Sequence, residues 1–182
     1  FILRAGSYLV AEDEITVNAV DGYTMYAGSY IDNTSGSLDV YLAPVGTSTA
    51  AMTLYENARV LSGGALTVGS KSITLTGHGT TPAYLQSVDT ITAAASNGAI
   101  ALGQKSHFTS SAGDILATGK SITLASGIGT ALADLTRFNA NGLISATASS
   151  GSITLGNYSS FISSTSTITA LASSGISQIG RA

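Results

Sequence analysis

The side chains that could bind a metal ion or activate water are few and widely separated in this sequence. The two histidines, His78 and His107, have no second histidine close to them. A zinc site needs three or four converging ligands, so we predict no metal site at either residue. The acidic run Glu12-Asp13-Glu14 offers oxygen ligands that suit Ca²⁺. We interpret it as a solvated turn before Ile15.

Cleavage of a polysaccharide would need two or three clustered carboxylates, often beside a Lys or Arg. The best candidate group is Asp134 with Arg137, which we interpret as a structural ion pair or part of a solvated loop. We therefore expect no enzyme activity, no catalytic residues and no cofactor, and we keep a polysaccharide-degrading enzyme as an alternative. The other acids are scattered: Asp32, Asp39, Glu56, Asp89 and Asp114.

The composition excludes several classes of protein. Apolar residues make up 44% of the 182 residues and charged residues only 9%. The apolar fraction is too high for a disordered chain, and no apolar run reaches the ~20 residues of a membrane-spanning helix. A net charge of −3 without a basic cluster argues against nucleic acid as a partner. There is no cysteine, hence no disulfide framework.

An internal repeat organises the sequence. In its clearest copy, Ser159-Ser-Phe161 is followed by Ile168-Thr-Ala170. Seven copies occur, and their two apolar anchors lie six or seven residues apart. The anchor pairs are Leu9 and Ile15, Ile31 and Leu38, Val60 and Leu66, Leu85 and Ile91, Phe108 and Ile115, Phe138 and Ile144, and Phe161 and Ile168.

A third short strand follows each pair, as in Ile122-Thr-Leu124. Side chains alternate inward and outward along each strand, so stacked copies place their anchors in shared interior columns. The sequence thus predicts one domain, residues 1–182: a three-sided parallel β-solenoid of about seven rungs. The rival fold is a β-sandwich, which does not usually repeat in sets of three strands. The third anchors are Tyr23, Met52, Ile73, Ile100, Ile122, Ile153 and Ile176.

Extra residues fall in three turns, 41–49, 77–82 and 125–134. A solenoid tolerates insertions there because they lie outside the strands. Both prolines fall in these turns, where they do not interrupt the ladder of backbone hydrogen bonds. We predict that the insertions are sites of lateral contact. The candidate residues are Pro44, His78, Pro82, Asp134 and Arg137.

The two ends of the sequence share the same phase of the repeat. Phe1-Ile2-Leu3 occupies the position of a third strand, as does the stretch from Ile176 to Ile179. Unpaired terminal rungs favour pairing with further strands. These residues are therefore our candidates for end-to-end stacking, with a second copy or with further rungs of the same chain.

The repeats resemble the haemagglutinin-type repeats of large secreted adhesins, of the filamentous-haemagglutinin and two-partner-secretion kind. The residues that carry this resemblance are Gly98-Ala-Ile-Ala-Leu-Gly103, Gly113-Asp-Ile-Leu-Ala117 and Gly151-Ser-Ile-Thr-Leu-Gly156. The resemblance implies a right-handed β-helix, export and display at the cell surface. We accordingly expect an extracellular structural or adhesive segment that contacts itself, a cell surface or a glycan.

Two alternatives concern the outer faces of the solenoid. Threonine pairs such as Thr90/Thr92 and Thr167/Thr169 have the out–in–out spacing with which a flat face could order water, which would indicate ice binding. That ladder breaks at Asp39 and Leu116. Exposed tyrosines, which are common contact residues for sugars and proteins, indicate carbohydrate binding. We favour stacked rings along one edge of the solenoid as the explanation of these tyrosines, and we expect His107 in the outward position that Tyr8, Tyr30 and Tyr84 occupy.

Overall fold

The computed structural model describes residues 1–19, 21–34, 39–43 and 50–178. In them the chain forms short β-strands and one 3-10 turn, Leu132–Asp134. The strands are β1 Ile2–Leu3, β2 Tyr8–Val10, β3 Ile15–Asn18, β4 Tyr23–Met25, β5 Tyr30–Asp32, β6 Val40–Ala43, β7 Met52–Leu54, β8 Arg59–Ser62, β9 Leu66–Ser70, β10 Ile73–Leu75, β11 Tyr84–Ser87, β12 Ile91–Ala95, β13 Ile100–Leu102, β14 His107–Ser110, β15 Ile115–Gly119, β16 Ile122–Leu124, β17 Thr136–Ala140, β18 Ile144–Ala148, β19 Ile153–Leu155, β20 Ser159–Ser163, β21 Ile168–Ala172 and β22 Ile176–Gln178.

Every third strand pairs with the next in parallel, which produces three sheets. Sheet A has the order β1-β4-β7-β10-β13-β16-β19-β22. Sheet B has the order β2-β5-β8-β11-β14-β17-β20, and sheet C runs from β3 to β21 by the same step. The three-sided parallel β-solenoid of about seven rungs is therefore confirmed.

The predicted anchors of the repeat lie opposite one another in these sheets. Leu85 pairs with Phe108 and Phe108 with Phe138 in sheet B, and Ile91 pairs with Ile115 in sheet C. The Phe108, Phe138 and Phe161 rings stack with centroid distances of 4.8 and 5.0 Å. Since parallel in-register strands place like residues one above another, each column fills the core with similar shapes.

One predicted anchor was wrong. We placed Leu38 opposite Ile15 and Leu66, but Val40 pairs with both, and Leu42 pairs with Val17 and Val68. Strand β6 is therefore shifted by two residues, and Leu38 lies outside the described residues. A shift of two keeps the same side chains inside, so alternation cannot detect it.

Interior serines satisfy the carbonyl groups at the corner between sheets B and C. The Ser62 hydroxyl donates to the Ala65 carbonyl at 2.8 Å, and the Ser110 hydroxyl donates to the backbone carbonyl of Asp89 at 2.7 Å. The Ser163 hydroxyl has one proton to share between the Gly142 and Ser166 carbonyls, which lie at 2.7 and 2.9 Å. A buried carbonyl without a donor would cost stability, so these serines let the chain turn tightly beside an apolar core.

The corner from sheet A to sheet B uses a four-residue turn whose third residue has positive φ. Glycine takes this position at Gly6 and Gly28, with φ of 71° and 72°. Asn57, Lys105 and Tyr158 take it at 58°, 57° and 52°. Asparagine tolerates this region, but most other side chains cost about 1–2 kcal/mol there, so the rungs built on Lys105 and Tyr158 carry local strain.

The insertion after β16 is an extension of this same corner turn. The short version, Gly103 to Ser106, joins Leu102 to His107, and His107 pairs with Arg137. Without residues 126–133, the turn between Leu124 and Arg137 would again have four residues, namely Ala125, Asp134, Leu135 and Thr136. Leu135 would then occupy the positive-φ position.

Deleting residues 126–133 together with Leu135→Gly should preserve the solenoid, because the remaining turn matches its neighbour in length. The same deletion without Leu135→Gly should be about 1–2 kcal/mol less stable, since leucine is strained at positive φ. Circular dichroism and urea unfolding measure both effects. Loss of the β signal in the deletion that carries Leu135→Gly would contradict this assignment of the turn.

Candidate functional site

The last described rung exposes side chains that belong to the interior columns. Ile168 is 46% exposed and Ile176 is 53% exposed, whereas their register partners Ile144 and Ile153 are both fully buried. Phe161 in sheet B is half-buried beside them. A groove of about 280 Å³ lies between Leu155, Phe161, Ile168 and Gln178. The interior surface that each earlier rung covers is thus open here.

The first rung presents a smaller apolar surface. The Phe1 ring lies 6.2 Å from the Tyr23 ring, and its amino group donates to the Gly22 carbonyl at 2.9 Å. Leu3 pairs with Met25 and packs against the core. Ile2 instead faces outward and is 63% exposed. The Ile2 side chain therefore lies outside the interior columns, while its part in end-to-end stacking stays a prediction. Ile179 lies outside the described residues.

The predicted lateral-contact residues lie in different environments. Pro44 is outside the described residues, His78 is exposed, and the Pro82 carbonyl accepts a hydrogen bond from the Asn57 amide. Asp134 forms an ion pair with Lys105 at 3.2 Å rather than with Arg137. Arg137 is not on the insertion: it lies on β17 and donates to the Leu132 carbonyl at 2.6 Å.

A column of flat side chains runs along the outer side of sheet B. The Tyr8 and Tyr30 rings stack at 5.2 Å, and the Arg59 guanidinium lies 4.9 Å from the centre of the Tyr30 ring. Tyr84 and His107 stack at 4.8 Å. The predicted outward position of His107 is confirmed. Because each ring face covers the next, the column offers ring edges and hydroxyls to solvent, so its stacking stabilises the rungs.

Burial within this column lowers the pKa of His107 to about 4. The loss of hydration outweighs the opposing hydrogen bond from Nδ1 to the Lys105 carbonyl at 3.1 Å, and the Arg137 charge lowers the pKa further. A carbonyl only accepts hydrogen bonds, so Nδ1 carries the proton of the neutral ring. The column therefore holds an uncharged imidazole between Tyr84 and Arg137 at neutral pH.

The outer side of sheet A is uncharged and carries the most regular ladder of threonines. One outward position of its strands is occupied by Ile2, Thr24, Thr53, Thr74, Ala101, Thr123, Thr154 and Ser177, all in register. Beside Ala101 a shallow groove of about 500 Å³ opens toward Gly77 and His78. The interrupted ladder predicted around Thr92 lies on sheet C, where Thr92 pairs with Leu116.

Ligating and catalytic side chains do not converge in the described part of the chain. No group of three His, Asp or Glu residues there is close enough to hold a metal ion. Glu14 accepts a hydrogen bond from Thr16, and Asp32 accepts two from Thr34. Within the same residues no helix has the length and apolar character that crossing a membrane requires.

Comparison with known proteins gives no family for this chain. No protein-family model matches it, and neither does a curated protein or a solved structure among those compared.

The pH dependence of stability should reveal the buried imidazole. The pKa of His107 is lower in the folded chain than its ordinary value of 6.5, so the unfolded chain binds the proton first. The contribution of the neutral His107 ring to the free energy of unfolding is therefore fully present above pH 6.5. It is lost as the pH falls to about 4, by at most about 3 kcal/mol. Urea unfolding at several pH values measures this loss.

His107→Tyr is the matched variant, since tyrosine already occupies this column at Tyr84. It should flatten the profile between pH 4 and 6.5, while His78→Gln, at an exposed loop position, should leave it unchanged. Equal slopes for wild type and His107→Tyr would show that another group titrates.

Proposed function

We propose that the chain is a rigid structural segment of an extracellular fibre or surface adhesin, and that a further rung continues its last rung. The observation that supports this most is the exposure of Ile168 and Ile176, whose register partners are fully buried. The covering rung comes from the same chain or from a second copy. Either source presents the same chemistry, an apolar interior column flanked by strand edges.

The energetics favour such a continuation. Burying the exposed half of an isoleucine contributes on the order of 1 kcal/mol, and the rung exposes two of them. Among the described residues, strands β20, β21 and β22 also end the three sheets, so their outer edges have no neighbouring strand in this part of the chain. Unpaired edges pair readily with added strands. Apolar burial and three strand edges therefore act at the same surface.

The arrangement suits a mechanical role. Backbone hydrogen bonds between rungs, such as Ile91 to Asp114 at 2.9 Å and Ile115 to Leu143 at 2.9 Å, run along the solenoid axis on every side. Stretching or bending the rod would have to break several of these bonds together. A stiff spacer of about 34 Å, from seven rungs at about 4.8 Å each, follows from this geometry.

Placing a charge on the terminal rung tests the proposal. Ile168→Lys should abolish concentration-dependent end-to-end association, because a lysine cannot be buried against an incoming rung without a partner. Leu171→Lys is the matched control: it lies on the same strand, faces outward and is 58% exposed. Sedimentation velocity and electron microscopy measure the length of the assemblies.

The proposal predicts longer rods for wild type and for Leu171→Lys, and single rods for Ile168→Lys. A wild-type chain that stays monomeric at high concentration would refute stacking between copies. Continuation within one chain would then require that Ile168 is buried in a longer form of the protein. Slower hydrogen exchange of the β21 amides in that longer form would show this burial.

The threonine ladder of sheet A favours ice binding as a second candidate function. Five threonines occupy one outward column of an uncharged sheet at the rung spacing of about 4.8 Å. Hydroxyl groups at a fixed spacing can hold ordered water. This candidate uses sheet A, whereas axial stacking uses the terminal rung.

Thermal hysteresis is the measurement for ice binding. If sheet A binds ice, the wild-type chain shows thermal hysteresis. A double variant that carries Thr74→Tyr and Thr123→Tyr should show none, because the bulky rings disrupt the flat face. Thr92→Tyr on sheet C is the control and should retain it. No hysteresis in wild type would remove this candidate and leave the structural proposal unchanged.

A further inference from the structure

The charged residues are segregated among the three corners of the solenoid. Seven of the ten acidic residues lie at or beside the corner between sheets B and C, which we call the acidic edge. No lysine or arginine lies there among the described residues. The acidic edge consists of Glu12, Asp13, Glu14, Asp32, Asp39, Asp89 and Asp114.

The six lysines and arginines of the described residues lie at the other two corners, which we call the basic edges. Arg4, Arg59, Lys105 and Arg137 lie at the corner between sheets A and B. Lys71 and Lys120 lie at the corner between sheets C and A. The two basic edges therefore flank the uncharged outer side of sheet A, and the acidic edge lies opposite that sheet.

Local hydrogen bonding explains only part of the acidic edge. The Asp39 carboxylate accepts from the Ala65 amide at 2.8 Å, and the Asp114 carboxylate accepts from the Leu143 amide at 2.7 Å. These two acids brace the turn of the next rung. Glu12, Asp13 and Asp89 are exposed and have no such bond among the described residues.

The basic edges are only partly compensated, because three acids, Asp21, Glu56 and Asp134, lie at the same two corners. The one ion pair among the described residues joins Lys105 to Asp134. Lys71 and Lys120 are exposed. The Arg59 guanidinium contacts the Tyr30 ring, and its buried Nε has no hydrogen-bond acceptor in the described part of the chain. Soluble proteins usually intersperse the two signs on their surface. Segregated, unpaired charge of both signs on one rod indicates a partner with the complementary pattern.

We propose that the partner is a second copy of this chain, whose acidic edge lies along sheet A between the two basic edges. The complement is present on the molecule itself. Lys71 and Lys120 follow strands β9 and β15, two rungs apart, and Asp39 and Asp89 precede β6 and β12, also two rungs apart. Both spacings are about 10 Å, so parallel rods bring the charges into register.

Sheet A allows the close approach that this contact requires. Beyond Ile2 on the first strand, its outward positions hold small or hydroxyl side chains, such as Ser72, Thr74, Ala101, Ser121 and Thr123. An interface that joins different surfaces of two copies stays open when no rotation relates the copies, as for parallel rods in the same orientation. Lateral addition therefore continues, and rods assemble side by side into ribbons. This contact does not depend on the axial stacking proposed above.

Charge reversal at exposed positions tests the contact. One variant reverses the basic member of a register pair, Lys120→Glu, and the other reverses its acidic partner, Asp89→Lys; both residues are exposed. Each alone should lose lateral association, and an equal mixture of the two should regain it. Glu56→Lys adds a cation to a basic edge and is the control that should associate like wild type.

Salt separates this contact from axial stacking. The Debye length falls from about 10 Å at 0.1 M salt to about 3 Å at 1 M, so lateral ribbons should dissociate while apolar end-to-end contacts persist. Electron microscopy distinguishes ribbons from longer single rods. Absence of ribbons at low salt, or association of either variant alone as strong as wild type, would overturn the proposal. Ribbons that form only after addition of Ca²⁺ or a polyanion would assign the edges to that ligand instead.

Discussion

The in-register parallel pairing of each strand with the strand one rung away is the interaction on which the rest of the structure depends. It stacks like side chains directly, so one choice of residue is repeated along the rod, as in the ring stack Phe108, Phe138 and Phe161. A single rung has no core of its own, since its interior residues are covered only by the rungs on either side. Stability, shape and the open surface at Ile168 all follow from this dependence on neighbours.

Stacking also turns sequence positions into surface stripes. A residue type that recurs at the same place in the repeat becomes a column on one face or one edge, even when the copies are twenty or more residues apart. The threonines of sheet A, the flat groups of sheet B and the acids of one corner arise in this way. A rod of this kind meets partners through lines of residues, which suits assembly along and beside other rods.

The sequence predicted the three sheets because the anchors Ile73-Thr-Leu75 and Ile122-Thr-Leu124 recur with alternating burial. It did not predict the register of Val40, since a shift by two residues keeps the same alternation. The Lys105–Asp134 pair joins residues 29 positions apart, so local sequence favoured Arg137 instead. The threonine ladder was readable from the middle residues of the third strands, Thr24, Thr53 and Thr74. The charged edges required knowing which turns share a corner.

The central claim, in the form that can be measured on this chain, is that a second copy supplies the rung that continues the interior columns of the last rung. Cryo-electron microscopy of the purified chain at high concentration tests it most directly, through the axial repeat of the particles. Continuation predicts filaments whose spacing of about 4.8 Å runs without interruption across the junction at Ile168 and Ile176. Single rods of about 34 Å at every concentration, with these two isoleucines still open to solvent, would contradict it.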